Sequence, residues 1–425
     1  MTKKILVVFG TRPEAIKMAP LVKALQAQQA AFQVKVCVIS LQRRMLDQVL
    51  KLFDIRPDYD MHLMRQEHDL CDIASGVLQG LKSVLALWHP DAMLVHGDSC
   101  TTFAASLAAF YQKIPVGHIE SGLRSGNLYA PWPAEAHRKL TTVLAHWHFA
   151  PTATSRTNLL HEGVAPGMIH VTGNTAIDAL LQVREKIFGN APLQQKFRHH
   201  FGFLEPHKRL VLVTCHRRGN FGQEFESICQ ALALIAQRHP DVQLVYPVQP
   251  HPQAQEMVRR VLGAISNVHL LEPLDYLPFV YLMGKSSLIL TDSCGIQEEA
   301  PALGKPVLVL RETTERPEAV QAGTVRLVGT DADEIATQAG ALLSNAEAYQ
   351  AMVFAHNPYG DGHACERIAR VLRGDKRQFI LPPRSATAPA PAASASIPAT
   401  QPTPHGEPPP HVRPSPGWQQ PSPEH

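Results

Sequence analysis

The sequence predicts an α/β protein built from two Rossmann-like, doubly wound domains facing a shared cleft. Short apolar runs of strand length alternate with helical patterns over most of the 425 residues. Such alternation marks parallel sheets covered by helices on both faces. The pattern restarts after Gly173-Asn174-Thr175, and a chain this long exceeds what one ordinary core accommodates. The expected division is residues 1–175, residues 176–372 with the last helix packing back on the first domain, and a disordered tail over 382–425.

In chain order, Lys3-Lys4-Ile5-Leu6-Val7-Val8-Phe9 is the first strand, followed by a glycine turn at Gly10 and a helical pattern through Leu21, Val22 and Leu25. Gly10 is expected to let the chain turn sharply. Arg12 offers a rigid fork of donors, Lys17 adds a cation one turn on, and the free helix N–H groups point the same way, so an anion fits there. Taken alone, this is an ordinary strand-to-helix junction. Further strands are expected at 34–39, 91–95, 115–119, 148–150 and 169–171, with a helix from Thr101 to Tyr111. The second series has strands at 210–213, 243–246, 268–271, 288–290 and 307–310, after a hinge near Asn174–Leu204. From Pro382 onward, Pro-, Ala- and Ser-rich sequence with little charge cannot form a core.

Composition narrows the function. Hydrophobic residues at 45% and charged residues at 18% are globular values. A net charge of +3 with only short basic pairs excludes the dense patch of a nucleic-acid binder. The start Met1-Thr2-Lys3-Lys4 leads directly into a core strand, so no signal peptide is expected, nor does any uninterrupted apolar run reach the length of a membrane span. The 7 scattered cysteines, without a CxxC pair, suit reduced thiols in a cytoplasm and argue against a zinc site.

Four strand ends deliver polar groups toward the expected cleft: His96-Gly97-Asp98, Glu120-Ser121-Gly122-Leu123-Arg124, His216-Arg217-Arg218 and Asp292-Ser293-Cys294-Gly295. One carboxylate at a strand end is usually a helix cap or an ion-pair partner; several at strand ends in two domains point to a ligand site. Together with Gly10-Thr11-Arg12-Pro13-Glu14, Gly117-His118-Ile119, Glu298-Glu299 and Glu315-Arg316-Pro317-Glu318, these motifs resemble the non-hydrolysing UDP-N-acetylglucosamine 2-epimerases from Lys4 to about Leu372.

The resemblance implies a GT-B-like pair of domains, usually dimeric, that interconverts UDP-GlcNAc and UDP-ManNAc without metal or redox cofactor. UDP leaves C1 as a base removes the C2 proton, and UDP adds back to the 2-acetamidoglucal with the proton delivered to the other face. That requires cationic clamps on the leaving group and acid/base groups on both sides of the ring. By resemblance Arg12, Lys17, His216, Ser293, Cys294, Gly295 and Glu299 hold UDP, Phe279 sits by the uracil and Arg316 contacts the nucleotide. Asp98, Glu120 and His216 match catalytic positions, and Arg138 lies near the site.

The sequence departs from the family at several of these positions. Ala134 stands where the family has a catalytic glutamate, and Glu135 cannot replace it, because one helical step turns a side chain by about 100°. Gly219, Cys294, Gln249 and Leu274 replace a family glutamate, glycine, histidine and glutamine. The expected outcome is intact UDP binding with slowed epimerisation. A GT-B glycosyltransferase and a catalytically weakened UDP-sugar binder are the alternatives.

Overall fold

Lys3–Phe9 is buried on both faces: Ile5, Val7 and Phe9 enter one core, Leu6 and Val8 the other. Such two-sided burial puts this strand at the centre of a parallel sheet, and each fully buried aliphatic side chain contributes about 1.5–3 kcal/mol. The computed structural model describes residues 2–39, 43–62, 69–215 and 222–375. The expectations for His216-Arg217-Arg218, Gly219 and the tail 382–425 therefore lie outside the described residues.

The first sheet holds β1 (Lys3–Phe9), β2 (Phe32–Ile39), β3 (Tyr59–Met61), β4 (Ala92–His96), β5 (Val116–Ile119), β6 (Trp147–Ala150) and β7 (Ile169–Val171). All are parallel, in the order β3-β2-β1-β4-β5-β6-β7. The second holds β8 (Arg209–Thr214), β9 (Val242–Pro247), β10 (Val268–Leu271), β11 (Leu288–Thr291), β12 (Val307–Val309) and β13 (Val325–Leu327). These are also parallel, in the order β10-β9-β8-β11-β12-β13. Both orders are doubly wound, as expected, and both reverse direction once, between β1 and β4 and between β8 and β11. Ligands bind such sheets in the crevice beyond the strand ends at those two reversals.

The segment Asn174–Leu204 holds two helices, Thr175–Phe188 and Ala191–His200. Ile177, Leu180 and Val183 join one core with residues of both sheets. Gly10 is needed for proximity and not for its torsion, since a Cβ there would meet Ile39 O at 2.7 Å. Finally, among the described residues one helix, Leu70–Trp88, is long and apolar enough to cross a membrane. Scanning for an uninterrupted run missed it because Asp72, Ser75, Gln79 and Lys82 punctuate the sequence. Its Val77, Leu81, Leu85 and Trp88 pack on the first sheet against Leu6, Val8 and Met93.

The last helix, Ala364–Leu372, packs beside the Arg12–Gln26 helix. Asp178 accepts hydrogen bonds from its Ala364 and Cys365 N–H groups at 3.2 and 2.9 Å, and Lys3 Nζ donates to Leu372 O at 2.7 Å.

Candidate active site

At the first reversal, β1 runs through Gly10 into the Arg12–Gln26 helix. Glu14 closes a capping box: its Oε2 accepts from Gly10 N at 2.7 Å and Thr11 N at 3.0 Å, while Thr11 Oγ1 accepts from Glu14 N. Pro13 has no N–H. The amides expected to attract an anion are thus largely taken, so attraction here rests on the side chains of Arg12 and Lys17. Arg12 Nη2 reaches across to Leu274 O at 3.3 Å, at the entrance to the Tyr276–Lys285 helix that bears Phe279.

β4 ends at His96, and the chain turns through Gly97 to Asp98. His118 Nε2 meets Gly97 O at 2.7 Å. Burial pushes the His118 pKa down to about 3, so the ring is neutral and donates from Nε2. His137 Nδ1 meets Asp98 O at 3.1 Å. The Asp98 carboxylate accepts from Arg138 Nε at 2.9 Å and Nη2 at 2.6 Å. Arg138 Nη1 turns to Glu135 at 3.2 Å. Glu135 is fully buried and accepts from Ser125 N and Gly126 N at 3.1 and 3.3 Å. Its work is to anchor the loop ahead of Ala134, the first residue of the Ala134–Leu144 helix.

One strand over, Glu120 follows β5 with φ +63°, a left-handed conformation that costs a non-glycine residue on the order of 1–3 kcal/mol. Lys17 Nζ is ion-paired to Glu120 Oε2, Asn174 Nδ2 donates to the same oxygen at 2.9 Å, and His96 Nε2 lies 3.5 Å from it. Burial alone would raise the Glu120 carboxyl, but Lys17, His96 and Arg316 outweigh burial and hold it well below the ordinary range. Burial likewise opposes the Lys17 ammonium, and Glu120 and Glu298 overcome it, so its pKa is raised.

The second sheet completes the cluster. At its reversal β11 leads through Asp292 and Ser293 into the Cys294–Ala302 helix, whose N-terminus has no side-chain cap. A Cβ on Gly295 would meet nothing nearer than Ser293 Oγ at 3.9 Å. Cys294 Sγ donates to Glu315 Oε2 at 3.3 Å. Glu298, fully buried, is ion-paired to Arg316 Nε and accepts from Asn174 Nδ2 at 2.6 Å. Burial raises Glu299 to about 8. Burial and then the Glu299 carboxyl push the neighbouring Tyr276 phenol well above its ordinary value.

The structure thus brings Lys17, Glu120 and Arg316 into one linked network and sets Asp98 with Arg138 in a second pair on the first sheet. Arg12 and Phe279 share the start of the Tyr276–Lys285 helix, and Ser293, Cys294 and Gly295 form a helix start without a side-chain cap, where Ser293 N donates to Thr291 Oγ1 at 3.0 Å. Sequence reasoning missed Asn174, Glu298 and Tyr276. Asn174 stood in the Gly-Asn-Thr segment that marked the second series, and Glu298 beside Glu299 was a visible carboxylate pair. Nothing in the sequence signalled Tyr276. Among the described residues no three His, Cys, Asp or Glu side chains gather as metal ligands would.

Comparison with known proteins converges on one description. The UDP-N-acetylglucosamine 2-epimerase family model matches residues 23–373. An Escherichia coli UDP-N-acetylglucosamine 2-epimerase is 58% identical over 373 residues, covering 88% of this chain and 99% of its own. The crystal structure of UDP-GlcNAc 2-epimerase from Neisseria meningitidis bound to UDP-GlcNAc is 49% identical, with a TM-score of 0.82, covering 88% of this chain and 100% of its own. The Methanocaldococcus jannaschii UDP-GlcNAc 2-epimerase in complex with UDP-GlcNAc and UDP is 30% identical, with a TM-score of 0.71, covering 87% and 99%.

Proposed function

The chain belongs to the UDP-N-acetylglucosamine 2-epimerase family, and from that premise we infer that it inverts C2 of UDP-GlcNAc by eliminating UDP and adding it back. The observation that supports this reading is the network Lys17–Glu120–Asn174–Glu298–Arg316, which joins the strand-end carboxylate of one sheet to the Cys294–Ala302 helix that follows β11 of the other.

In the forward direction a carboxylate takes the C2 proton, the C1–O bond to UDP breaks and the C1–C2 double bond forms. On return, a UDP oxygen attacks C1 and C2 is protonated on its opposite face. We assign the proton transfers to Asp98 and Glu120 with His216, and the pyrophosphate to Arg12, Lys17 and the Ser293-Cys294-Gly295 helix start. Phe279 lies by the uracil, and Glu299, raised to about 8 and so protonated near neutrality, offers the ribose both a donor and an acceptor. Arg316 supports the nucleotide side through Glu298. Ala134 leaves one acid/base group absent, so turnover is slow.

The UDP-ManNAc product supplies a surface or exopolysaccharide, and the enzyme acts in the cytoplasm, where free thiols such as these persist. A homodimer would cover the apolar side chains exposed on three successive helices: Leu87, Phe110, Tyr111, Leu140 and Val143. Light scattering should give twice the chain mass, and Leu87→Asp with Tyr111→Asp should give the monomer.

The deciding experiment incubates the protein with UDP-GlcNAc alone in heavy water. UDP-ManNAc with deuterium at C2 supports the reading. Net UDP release would favour a glycosyltransferase, and UDP-GlcNAc binding without exchange would favour a binder.

A further inference from the structure

Asn174 sits where the first sheet ends: β7 leads into it, and it caps the Thr175–Phe188 helix that packs against both halves. It is 2% exposed. Its Oδ1 accepts from Ala176 N at 3.0 Å, which fixes the orientation of the amide. Nδ2 must therefore face the other way, and there it donates to two carboxylates at once, Glu120 Oε2 at 2.9 Å and Glu298 Oε2 at 2.6 Å. Its backbone N–H donates to Tyr359 O at 2.7 Å, so the side chain hangs from a fixed main chain.

Two buried carboxylates that share one donor would repel without it, and each has its own cation on the far side, Lys17 for Glu120 and Arg316 for Glu298. Lys17, Asn174 and His96 all reach Glu120 through Oε2. None of these three contacts uses Oε1.

We propose that Asn174 is a positioning residue for epimerisation: its amide ties Glu120 on the proton-transfer side to Glu298 on the UDP side and thereby aims Glu120 Oε1 at the sugar. This rests on Glu120 being an acid/base group. The bridge makes the carboxylate's aim depend on the second half being in place, which coordinates proton transfer with UDP departure.

Asn174→Ser and Asn174→Asp test it, because both keep a side-chain acceptor for Ala176 N and break the bridge: a serine hydroxyl has a single O–H on a shorter side chain and serves at most one carboxylate, and an ionised Asp has no donor. Asn174→Ser should lower kcat roughly tenfold or more, the loss of a charge-assisted hydrogen bond, with KM and the Tm near those of the natural protein. Asn174→Asp places a third carboxylate against the pair and should be slower still. Its rate relative to the natural protein should climb as pH falls from 8.5 to 5.5, since a protonated Asp regains a donor. Lys17, His96, Glu299 and Arg316 face this cluster in both proteins, so the ratio isolates the new group. Unchanged kcat in Asn174→Ser, or a pH-independent ratio in Asn174→Asp, would overturn the proposal and leave Asn174 as a helix cap. Glu120→Gln is measured alongside: full deuterium exchange there would overturn the assignment of Glu120 itself, whatever Asn174 does.

Discussion

The two sheet reversals occupy equivalent places in the two halves, yet their helix starts are built in opposite ways. At the first, Glu14 fills the N-terminus of the Arg12–Gln26 helix and Pro13 removes a further donor. At the second, the Cys294–Ala302 helix begins without a side-chain cap, and the space over Gly295 is open. The first half also arrives with its acids already paired, Asp98 to Arg138 and Glu120 to Lys17. An uncapped helix start suits an anion, whereas a capped one beside paired carboxylates offers no amide cradle. Equivalent topology therefore carries two differently built helix starts, and the distinction lies in capping.

The contrast is most exposed at Asp98. Asp98→Asn should slow deuterium exchange at C2 by roughly 100- to 10,000-fold while UDP affinity holds; a parallel fall in UDP affinity would erase the division of labour. Ala134→Glu tests the same half by addition. Restoring an acid/base group should raise kcat by roughly 100-fold, the low end of that range, and an unchanged rate would mean the first half works without it.

The helix starts themselves can be exchanged in role. Gly295→Ala fits without a clash and should leave the Tm unchanged, yet weaken UDP roughly tenfold in calorimetry by crowding the phosphate, a loss on the scale of one charge-assisted hydrogen bond. Glu14→Ala should do the reverse, costing about 1–3 kcal/mol of stability through the lost cap and the orphaned Gly10 N–H with UDP affinity kept. Equal effects of the two on UDP would remove the contrast.

The last comparison concerns Glu299, beside the second helix start. Burial raises its folded pKa to about 8, above its ordinary 4.5. The folded state therefore binds the extra proton between those values, and stability falls as pH rises from about 4.5 to about 8, then levels. Glu299→Gln, which stays neutral, should match the natural Tm near pH 4.5 and exceed it by a few degrees at pH 8. A constant difference across the range would mean the carboxyl is not raised.

Much of this was legible beforehand, and for identifiable reasons. Central strands such as Lys3–Phe9 and Leu288–Thr291 are buried on both faces and so write an uninterrupted apolar run into the sequence. β3 and β13 went unseen because they are short strands at the sheet edges. Asp98 and Glu120 were visible because several polar groups stand just past buried strands in both series, and such a set exceeds what helix caps and ion pairs usually require. His216 was visible in the same way but lies outside the described residues.

By itself the sequence determined the two alternating series and the polar strand ends, and its motifs carried the resemblance to the family. These are local, readable from periodicity and from residues adjacent in the chain. Only the tertiary structure decided that Glu14 blocks one helix start, that Glu135 anchors a loop and that one amide at Asn174 bridges Glu120 and Glu298, the latter 124 positions away. Those outcomes depend on which donors and acceptors are buried together, and burial makes each unpaired polar group costly enough to dictate its partner.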